Sequence, residues 1–292
     1  MAQIDIWGNP IEEKVLLRDK FIEPPFSVLD AKTSRWMSRK NKWKSLGIKS
    51  EIGRNATTYN MKEWADEKRA SGELSGNKLG SDTSIFDPAL CEVLYRWFVP
   101  ENGQILDPFC GGSVRGIVAN YLGYHYTGID IRQEQIDSNR EQALDILSVD
   151  NQPNYYVGDA NKVLDNFINR FDFVFSCPPY ANLEVYSDLE GDISNMDYDD
   201  FLNAYTSILL KSCDLLKDDG FACFVVGEVR DKKGNYRGFV LDTINAFKSC
   251  GMKFYNEIIF LQQLASAAVR ANGNMKSKKV VKVHQNILVF RK

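Results

Sequence analysis

The segment Ile105-Leu106-Asp107-Pro108-Phe109-Cys110-Gly111-Gly112-Ser113 carries the strongest indication of the fold. Its apolar start predicts a short buried strand, its glycines predict a tight turn, and the residues from Val114 to about Leu122 predict a helix. Glycines let the backbone approach a ligand closely, and the first turn of a helix presents unpaired N–H groups there. The stretch therefore predicts a strand–turn–helix unit with a ligand site at the turn.

Three further strands are expected along the chain, at Tyr126–Ile131, Tyr155–Val157 and Phe171–Phe175. The first ends at Asp130, a layout that places a carboxylate on a ribose hydroxyl pair. The second ends at Gly158-Asp159-Ala160, and the third at Ser176-Cys177-Pro178-Pro179-Tyr180. Each of these strand ends could be an ordinary junction between a strand and a loop, since Asp and Gly are common turn residues. Four special strand ends in succession instead predict an open α/β sheet that binds ligands at the carboxyl edge of its strands.

The Pro178-Pro179 pair gives the last of these strand ends its own chemistry. Two prolines remove two N–H donors, so the carbonyls just before them stay available as acceptors, and the Tyr180 ring follows at once. Carbonyl acceptors beside a ring suit a flat base with an amine, because the carbonyls orient the amine and the ring stacks on the base. The alternative is a plain strand end followed by a turn.

These motifs resemble those of S-adenosylmethionine-dependent DNA amino methyltransferases of the adenine-N6 or cytosine-N4 type. Asp107–Gly111 resembles the family's Asp-Pro-Phe-x-Gly cofactor motif, and Cys177–Tyr180 falls on its catalytic Asp/Asn/Ser-Pro-Pro-aromatic tetrapeptide. Thr83–Leu90 resembles the segment that lines the methionine side of the cofactor pocket. The motifs cover about residues 83 to 180, and the chain as a whole is similar to stand-alone methylases of phages and prophages.

The resemblance implies a Rossmann-like class I methyltransferase: an α/β fold with a mostly parallel seven-stranded sheet, an antiparallel last strand and, here, an N-terminal extension. It implies that Asp130 binds the cofactor ribose and Asp159 its adenine. The full implied set for S-adenosyl-L-methionine is Phe86, Asp107, Pro108, Phe109, Gly111, Asp130, Ile131, Asp159 and Ala160. The implied catalytic residues are Cys177, Pro178, Pro179 and Tyr180.

The chain departs from the family pattern at two positions. Ser113 stands where the family has a second glycine, and Cys177 stands where it has Asp, Asn or Ser. A thiol accepts a hydrogen bond only weakly, so the carbonyls of Cys177 and Pro178, or Ser176, would orient the amine. Cys177 could also be a nucleophile, as in cytosine-C5 methylation, although that family's cysteine lies in a different motif. A buried, inert cysteine is a third option.

Charge is unevenly distributed along a chain whose net charge is −3. Basic residues gather between Lys32 and Arg54, with Trp36 and Trp43 interleaved, and no acid follows Glu257. Such segments suit phosphate contact and base stacking, although a solvated charged face is the alternative. The predicted contacts with double-stranded DNA are Arg35, Arg39, Lys40, Lys42, Arg270, Lys276, Lys278 and Lys279. Acids between Asp188 and Asp200 are expected to face away from DNA or to form a lid.

The alternation of strands and helices divides the chain into two parts. Residues 1–80 lack it and form a predicted basic and aromatic extension, extended over Phe21–Leu29 and helical over Ser34–Leu46. Residues 81–292 form the predicted catalytic domain. In addition to the elements named above, its predicted helices are Pro88–Phe98, Tyr198–Leu216 and Phe239–Ser249, and its predicted strands are Phe221–Val226, Phe254–Leu261 and Asn286–Phe290. A basic loop is predicted at 262–285. Gly72–Ser81 is a predicted linker.

Composition predicts the compartment and excludes several functional classes. No apolar run approaches membrane-spanning length, and Met1–Asp5 does not open a signal peptide. Six cysteines without paired metal spacing and only two histidines predict reduced thiols, no metal site and a cytoplasmic protein. A homodimer is one option that the sequence leaves open.

Three functions compete. The first is methylation of a base amine in DNA, adenine N6 or cytosine N4, with the base flipped onto Cys177–Tyr180. The second is methylation of an RNA base, and the third is a non-catalytic DNA-binding protein with a methyltransferase fold. No recognition domain fits between Asp159 and Cys177, so we expect a short or relaxed recognition sequence, within about six base pairs.

Overall fold

The structure is a computed structural model that describes residues 16–49, 86–168, 170–180, 187, 189–262 and 267–292. Within these ranges one sheet contains β1 (Val28–Asp30), β2 (Gln104–Asp107), β3 (His125–Asp130), β4 (Asn154–Val157), β5 (Phe171–Ser176), β6 (Leu216–Val226), β7 (Lys253–Leu261) and β8 (His284–Arg291). The strand order is β1-β7-β8-β6-β5-β2-β3-β4. The strand β8 is antiparallel to both β6 and β7, and the other neighbouring strands are parallel.

Helices cover both faces of the sheet. They are α1 (Leu17–Phe21), α2 (Ser34–Ser45), α3 (Pro88–Phe98), α4 (Val114–Tyr121), α5 (Gln133–Ile146), α6 (Ala160–Val163), α7 (Tyr198–Asp214), α8 (Phe239–Ser249) and α9 (Ala267–Lys276). Short 3-10 turns lie at Leu164–Asn166 and Ile193–Asn195. Two clusters of buried apolar side chains fill the space between the sheet and the helices on its two faces.

The sheet confirms the predicted fold class and adds one strand to it. An eighth strand comes from the N-terminal extension, where Val28, Leu29 and Asp30 pair in parallel with Ile259, Phe260 and Leu261. The segment Phe21–Leu29, predicted to be extended, therefore ends as an edge strand after the short helix α1. This addition covers the hydrogen-bonding edge of β7, which would otherwise be open to unwanted pairing.

The helix α2 packs its two tryptophans into the core. Trp36 and Trp43 are only 2% and 7% exposed. The indole N–H of Trp36 donates to Asp87 at 3.3 Å, and that of Trp43 donates to Glu92 at 2.8 Å. These rings are therefore not available for stacking on nucleic acid bases, contrary to the expectation from their basic surroundings. Their seven-residue spacing places both on the helix face that packs against α3.

Other boundaries follow the sequence with three exceptions. The helix predicted over Tyr198–Leu216 ends at Asp214, because the strand β6 begins at Leu216, and the other two exceptions concern residues 262–285. The predicted helices Pro88–Phe98 and Phe239–Ser249 are confirmed, and β7 and β8 form the expected antiparallel pair. The segment predicted as a basic loop over 262–285 contains the helix α9, and β8 already begins at His284. The predicted linker Gly72–Ser81 and the predicted boundary between residues 80 and 81 lie outside the described residues.

Candidate active site

The carboxyl ends of the central strands surround a cavity of about 360 Å³, a size typical of small-molecule sites. Twelve of the thirteen residues predicted for the cofactor and for catalysis line it: Phe86, Pro108, Phe109, Gly111, Asp130, Ile131, Asp159, Ala160, Cys177, Pro178, Pro179 and Tyr180. The structure thus brings together residues from the ends of β2, β3, β4 and β5, as the pattern of strand ends predicted. Asp107 is not among the lining residues.

The turn after β2 leaves its backbone open to the cavity. Gly111 has φ +49°, a left-handed conformation that favours glycine. A Cβ at Gly111 or Gly112 would meet no atom within 4 Å, so the backbone here faces free space. Ser113 has φ −66° and needs no glycine, and its hydroxyl donates to Gln142 at 3.0 Å. The departure from the family's glycine pattern at Ser113 therefore leaves the turn intact.

Asp107 lies behind the cavity wall and organises it. Its fully buried carboxylate accepts hydrogen bonds from the Phe109 N–H at 3.2 Å, the Tyr126 hydroxyl at 2.7 Å, the Ser176 hydroxyl at 2.5 Å and the Arg115 guanidinium at 2.5 Å. These donors come from the turn, β3, β5 and α4. The carboxylate therefore ties the turn to the strand that leads into the tetrapeptide, and this placement favours an indirect role in cofactor binding.

Arg115 is a site residue that the sequence reasoning missed. Its second terminal nitrogen donates to the carbonyls of Phe109 at 2.6 Å and Cys110 at 2.8 Å, and its guanidinium lies 4.7 Å from the centre of the Phe86 ring. Burial alone would lower the pKa of Arg115, but the Asp107 carboxylate reverses this and raises it well above its ordinary value. A lone charge in the apolar run from Val114 to Leu122 was the available signal, because a buried charge needs a partner.

Asp130 presents a largely buried carboxylate at the end of β3. Its side chain is 12% exposed and accepts from the Arg132 N–H at 2.9 Å, with the Arg132 guanidinium 3.6 Å away. Burial raises the pKa of Asp130, Arg132 opposes that shift, and the nearby Asp192 reinforces it. A carboxylate that borders the cavity in these surroundings is suited to accept hydrogen bonds from ligand hydroxyl groups.

An acidic segment crosses the same end of the cavity. Asp159 accepts from the Asn161 N–H at 2.9 Å and caps α6. A Cβ at Gly191 would lie 3.2 Å from the Asp159 carboxylate, so Gly191 lies directly against it. Asp192 is buried, lines the cavity and accepts from the Ser194 N–H at 2.9 Å. Asp192 therefore lies at the cavity itself, where its carboxylate caps the following 3-10 turn. That the acids of residues 188–200 face away from DNA or form a lid stays a prediction.

The tetrapeptide and two glutamines form the other end of the cavity. The Tyr180 ring packs edge-on against Phe239, with centroids 5.9 Å apart, and its hydroxyl accepts from the Gln285 amide at 3.1 Å. The side-chain carbonyl of Gln285 in turn accepts a hydrogen bond from the side-chain amide of Gln262 at 2.7 Å, and both glutamines line the cavity. The Cys177 sulfur lies 3.9 Å from the same hydroxyl and at the cavity wall. The sequence reasoning missed both glutamines, because their position depends on the pairing of β7 with β8.

The residues predicted to contact DNA fall into two groups. In the first group, Arg35, Arg39 and Lys40 form ion pairs with Glu23 at 3.2 Å, Glu92 at 2.9 Å and Asp87 at 3.0 Å, whereas Lys42 is exposed. In the second group, Arg270, Lys276 and Lys278 are exposed and Lys279 is half-buried. Most of the predicted contacts on α2 thus pair with acids of the fold, and the second group remains accessible to solvent.

The cavity fits an adenosyl cofactor. A carboxylate at Asp130, an open glycine backbone at Gly111 and a second carboxylate at Asp159 surround one space, and apolar side chains from Phe109 and Ile131 complete its wall. In the described part of the chain no group of three or more His, Cys, Asp or Glu side chains is arranged to hold a metal. None of the helices in those ranges has the length and apolar character needed to span a bilayer.

Comparisons with known proteins agree with this geometry. A family model described as DNA methylase, of the N6/N4 type, matches residues 17–141 and 171–292. No curated protein sequence gives a match.

Several solved structures are similar at low identity. TrmN from Thermus thermophilus is 16% identical with a TM-score of 0.48, covering 71% of this chain and 49% of its own. Magnesium protoporphyrin IX methyltransferase from Synechocystis PCC 6803, with SAH bound, is 12% identical with a TM-score of 0.48, covering 80% and 95%. A candidate DNA modification methylase, also from Thermus thermophilus, is 22% identical with a TM-score of 0.35, covering 46% and 50%. At these levels the neighbours carry no argument about substrate, whereas the family model spans most of the chain. The chain therefore belongs to the N6/N4 DNA methylase family, whose members are S-adenosyl-L-methionine-dependent DNA amino methyltransferases.

Proposed function

We propose that this protein methylates adenine N6 or cytosine N4 in double-stranded DNA, with the target base flipped out of the duplex and held on Cys177-Pro178-Pro179-Tyr180. The observation that carries the proposal is the single cavity that runs from the Gly111 turn and Asp130 to the tetrapeptide. One continuous space allows a donor bound at one end and an amine held at the other to meet.

The half of the cavity around Asp130 would hold the cofactor. The Asp130 carboxylate would accept hydrogen bonds from ribose hydroxyls, and Asp159 would lie near the adenine ring, with Phe109 and Ile131 as apolar contacts. When bound, S-adenosyl-L-methionine supplies an electrophilic methyl group on a sulfonium. Arg115, which lines the cavity, would hold the carbonyls of Phe109 and Cys110 so that the turn keeps its shape.

The half around Tyr180 would hold the base. The Tyr180 ring would stack on the flipped base and replace stacking lost from the duplex. The carbonyls of Cys177 and Pro178 would accept hydrogen bonds from the amine and direct its nitrogen lone pair towards the methyl group. The amine proton can leave to water after transfer, so this chemistry needs no dedicated general base. The thiol of Cys177 has no step to perform in this scheme.

Mass spectrometry of nucleosides tests the proposal directly. Duplex DNA and RNA of mixed sequence are each incubated with the protein and S-adenosyl-L-methionine, then digested to nucleosides. We expect N6-methyladenine or N4-methylcytosine from DNA. Methylation of RNA alone would favour the RNA enzyme, and DNA binding without transfer to either would favour the non-catalytic alternative. A 5-methylcytosine product would instead assign the nucleophilic role to Cys177.

Three substitutions separate the two halves of the site. Tyr180→Ala should abolish most turnover and leave cofactor affinity nearly unchanged, because the ring contacts only the base end. Asp130→Ala should mainly weaken cofactor binding. Cys177→Ser should keep equal or higher activity, since a hydroxyl accepts a hydrogen bond better than a thiol. Kinetics and calorimetry of cofactor binding measure all three, and thermal denaturation of each variant controls for loss of folding.

We place this activity in the cytoplasm, where its DNA substrate would lie. The six cysteines all lie in the described ranges and form no disulfide there, in keeping with a reducing compartment. A homodimer and a phage or prophage origin remain predictions from the sequence.

A further inference from the structure

Two segments leave the sheet next to Tyr180. After β6, Gly227 packs against the ring, where an added Cβ would lie 3.6 Å from the Tyr180 hydroxyl, and the hairpin Arg230–Arg237 follows. Before β8, the segment Lys276–Lys282 leads to Gln285, which donates to the same hydroxyl at 3.1 Å. Both segments are therefore anchored at the ring on which the target base would stack. We call these two segments together the basic rim.

The two segments of the basic rim touch each other. The hairpin is closed by a bridge between Arg230 and Tyr236 and by a turn in which the Gly234 N–H donates to the Asp231 carbonyl at 2.9 Å. The ammonium group of Lys279 lies directly against Gly234, in the space that a Cβ atom at position 234 would occupy. The hairpin and the segment before β8 thus form one continuous surface beside the mouth of the cavity.

The basic rim is strongly positive. Its eight basic residues are Arg230, Lys232, Lys233, Arg237, Lys276, Lys278, Lys279 and Lys282, against the single acid Asp231. Asp231 is turned into the hairpin, where its carboxylate accepts from the Asn235 N–H at 2.8 Å, and such backbone hydrogen bonds lower the pKa of Asp231. Lys232, Lys233, Lys276 and Lys278 are all exposed to solvent.

The cofactor end of the cavity carries carboxylates. Gly191 lies directly against the Asp159 carboxylate, and the buried carboxylate of Asp192 lines the cavity beside it. A phosphate backbone would be repelled from these charges and attracted to the basic rim. This distribution favours an approach of DNA over the Tyr180 end of the cavity.

From this arrangement we infer that the basic rim binds DNA phosphates beside the flipped nucleotide. This inference rests on the proposed function and names the surface that holds the substrate. It differs from the prediction from sequence in two ways: the hairpin Arg230–Arg237 is added, and the α2 residues Arg35, Arg39 and Lys40, which pair with acids of the fold, are left out.

Paired alanine variants test the basic rim. Lys232→Ala/Lys233→Ala and Lys276→Ala/Lys278→Ala each remove two exposed charges from one segment. The matched control, Lys248→Ala/Lys253→Ala, removes two exposed charges from the end of α8 and the start of β7, at the opposite edge of the sheet. Lys42→Ala/Lys44→Ala tests the exposed charges of α2. Binding of a labelled duplex of mixed sequence is measured by fluorescence anisotropy over a series of salt concentrations.

Each lysine that contacts a phosphate contributes about 0.9 to the slope of log affinity against log salt, or roughly 8-fold in affinity at about 0.1 M salt. Each rim variant lacks two such lysines and should therefore bind DNA about 60-fold more weakly. The slope of log affinity against log salt should become smaller in magnitude by about 2, and the thermal midpoint should stay unchanged. The control and the α2 variant should stay within about twofold of the wild type, because neither removes a phosphate contact.

Several results would overturn the basic rim. Loss of affinity in the α2 variant alone would move the contact to α2, and loss in only one rim variant would refute the inference that both segments bind phosphates. Unchanged binding by both rim variants, in a protein that still methylates the duplex, would refute the rim and leave the proposed function standing. A wild-type protein that neither binds nor methylates the duplex would refute the proposed function, and the rim with it.

Discussion

Arg115→Met is the perturbation for which the structure supports the most detailed expectation. The substitution keeps most of the side-chain length but removes the guanidinium that contacts the buried Asp107 carboxylate at 2.5 Å. Asp107 would keep its hydrogen bonds from Tyr126, Ser176 and the Phe109 N–H, and would lose its ion pair. The carbonyls of Phe109 and Cys110 would lose a donor at the same time.

The expected cost is large compared with the stability of a typical protein. Breaking a buried ion pair by removing one partner costs about 3–5 kcal/mol, because the other charge stays buried without compensation. Free energies of unfolding are typically about 5–15 kcal/mol. Arg115→Met should therefore remove a substantial part of the stability and also weaken cofactor binding, since the turn that carries Gly111 loses its support.

Urea denaturation and calorimetry measure the two effects. We expect a lower midpoint at unchanged slope, and weaker binding of S-adenosyl-L-methionine under conditions where the variant is folded. Arg115→Lys keeps the positive charge but not the fork that reaches both Asp107 and the carbonyls, and should lose less stability. Arg140→Met is the matched control: its pair with Asp137 is exposed and should contribute less than about 1 kcal/mol. A loss below about 1 kcal/mol in Arg115→Met would show that Asp107 does not depend on its cation.

Three further predictions concern the two halves of the site and the extension. Burial raises the pKa of Asp130, so the folded state holds its proton more tightly than the unfolded chain, and stability falls as pH rises through the range between the ordinary and the raised value. Asp130→Asn should therefore keep or increase the free energy of unfolding at neutral pH, and a clear loss of stability would contradict that expectation. The same variant should bind the cofactor at least about 10-fold more weakly. Gln285→Leu removes the amide that donates to the Tyr180 hydroxyl and should lower kcat about 2- to 10-fold at unchanged cofactor affinity, whereas an effect on the cofactor alone would refute its place at the base end. Trp36→Phe loses the N–H donor to Asp87 and part of a buried ring, and should cost about 1–3 kcal/mol in urea denaturation; no loss would mean that the extension does not support the core.

The location of the site was predictable because its signals are local. A short apolar run that stops at Gly, Asp or Pro marks a strand end within a few residues, and parallel strands bring all their carboxyl ends to one edge. Asp130, Asp159 and Tyr180 meet for this reason alone. No long-range information was needed beyond the rule that the strands share a sheet.

The surroundings of that site were not predictable, because they depend on contacts between distant segments. Trp36 reaches Asp87, 51 residues away, and Gln285 reaches Tyr180, 105 residues away. From the sequence, Trp36 beside basic residues was indistinguishable from a base-stacking ring, and Gln285 carried no local signal. The same holds for Arg39 and Lys40, whose charges meet acids of α3 and its N-cap only after the extension has docked.

Local sequence signals were sufficient to predict the fold class, the edge of the sheet that forms the site and the chemical groups at each strand end, since hydrophobic periodicity and turn residues act over short distances. Which charges remain accessible depends instead on how distant segments pack in the folded chain. A lysine or arginine that is already paired with an acid of the fold offers less charge to DNA, and that pairing depends on packing. Packing leaves Lys232 and Lys278 exposed on the Tyr180 side of the cavity and uses Arg39 and Lys40 to hold the N-terminal extension in place.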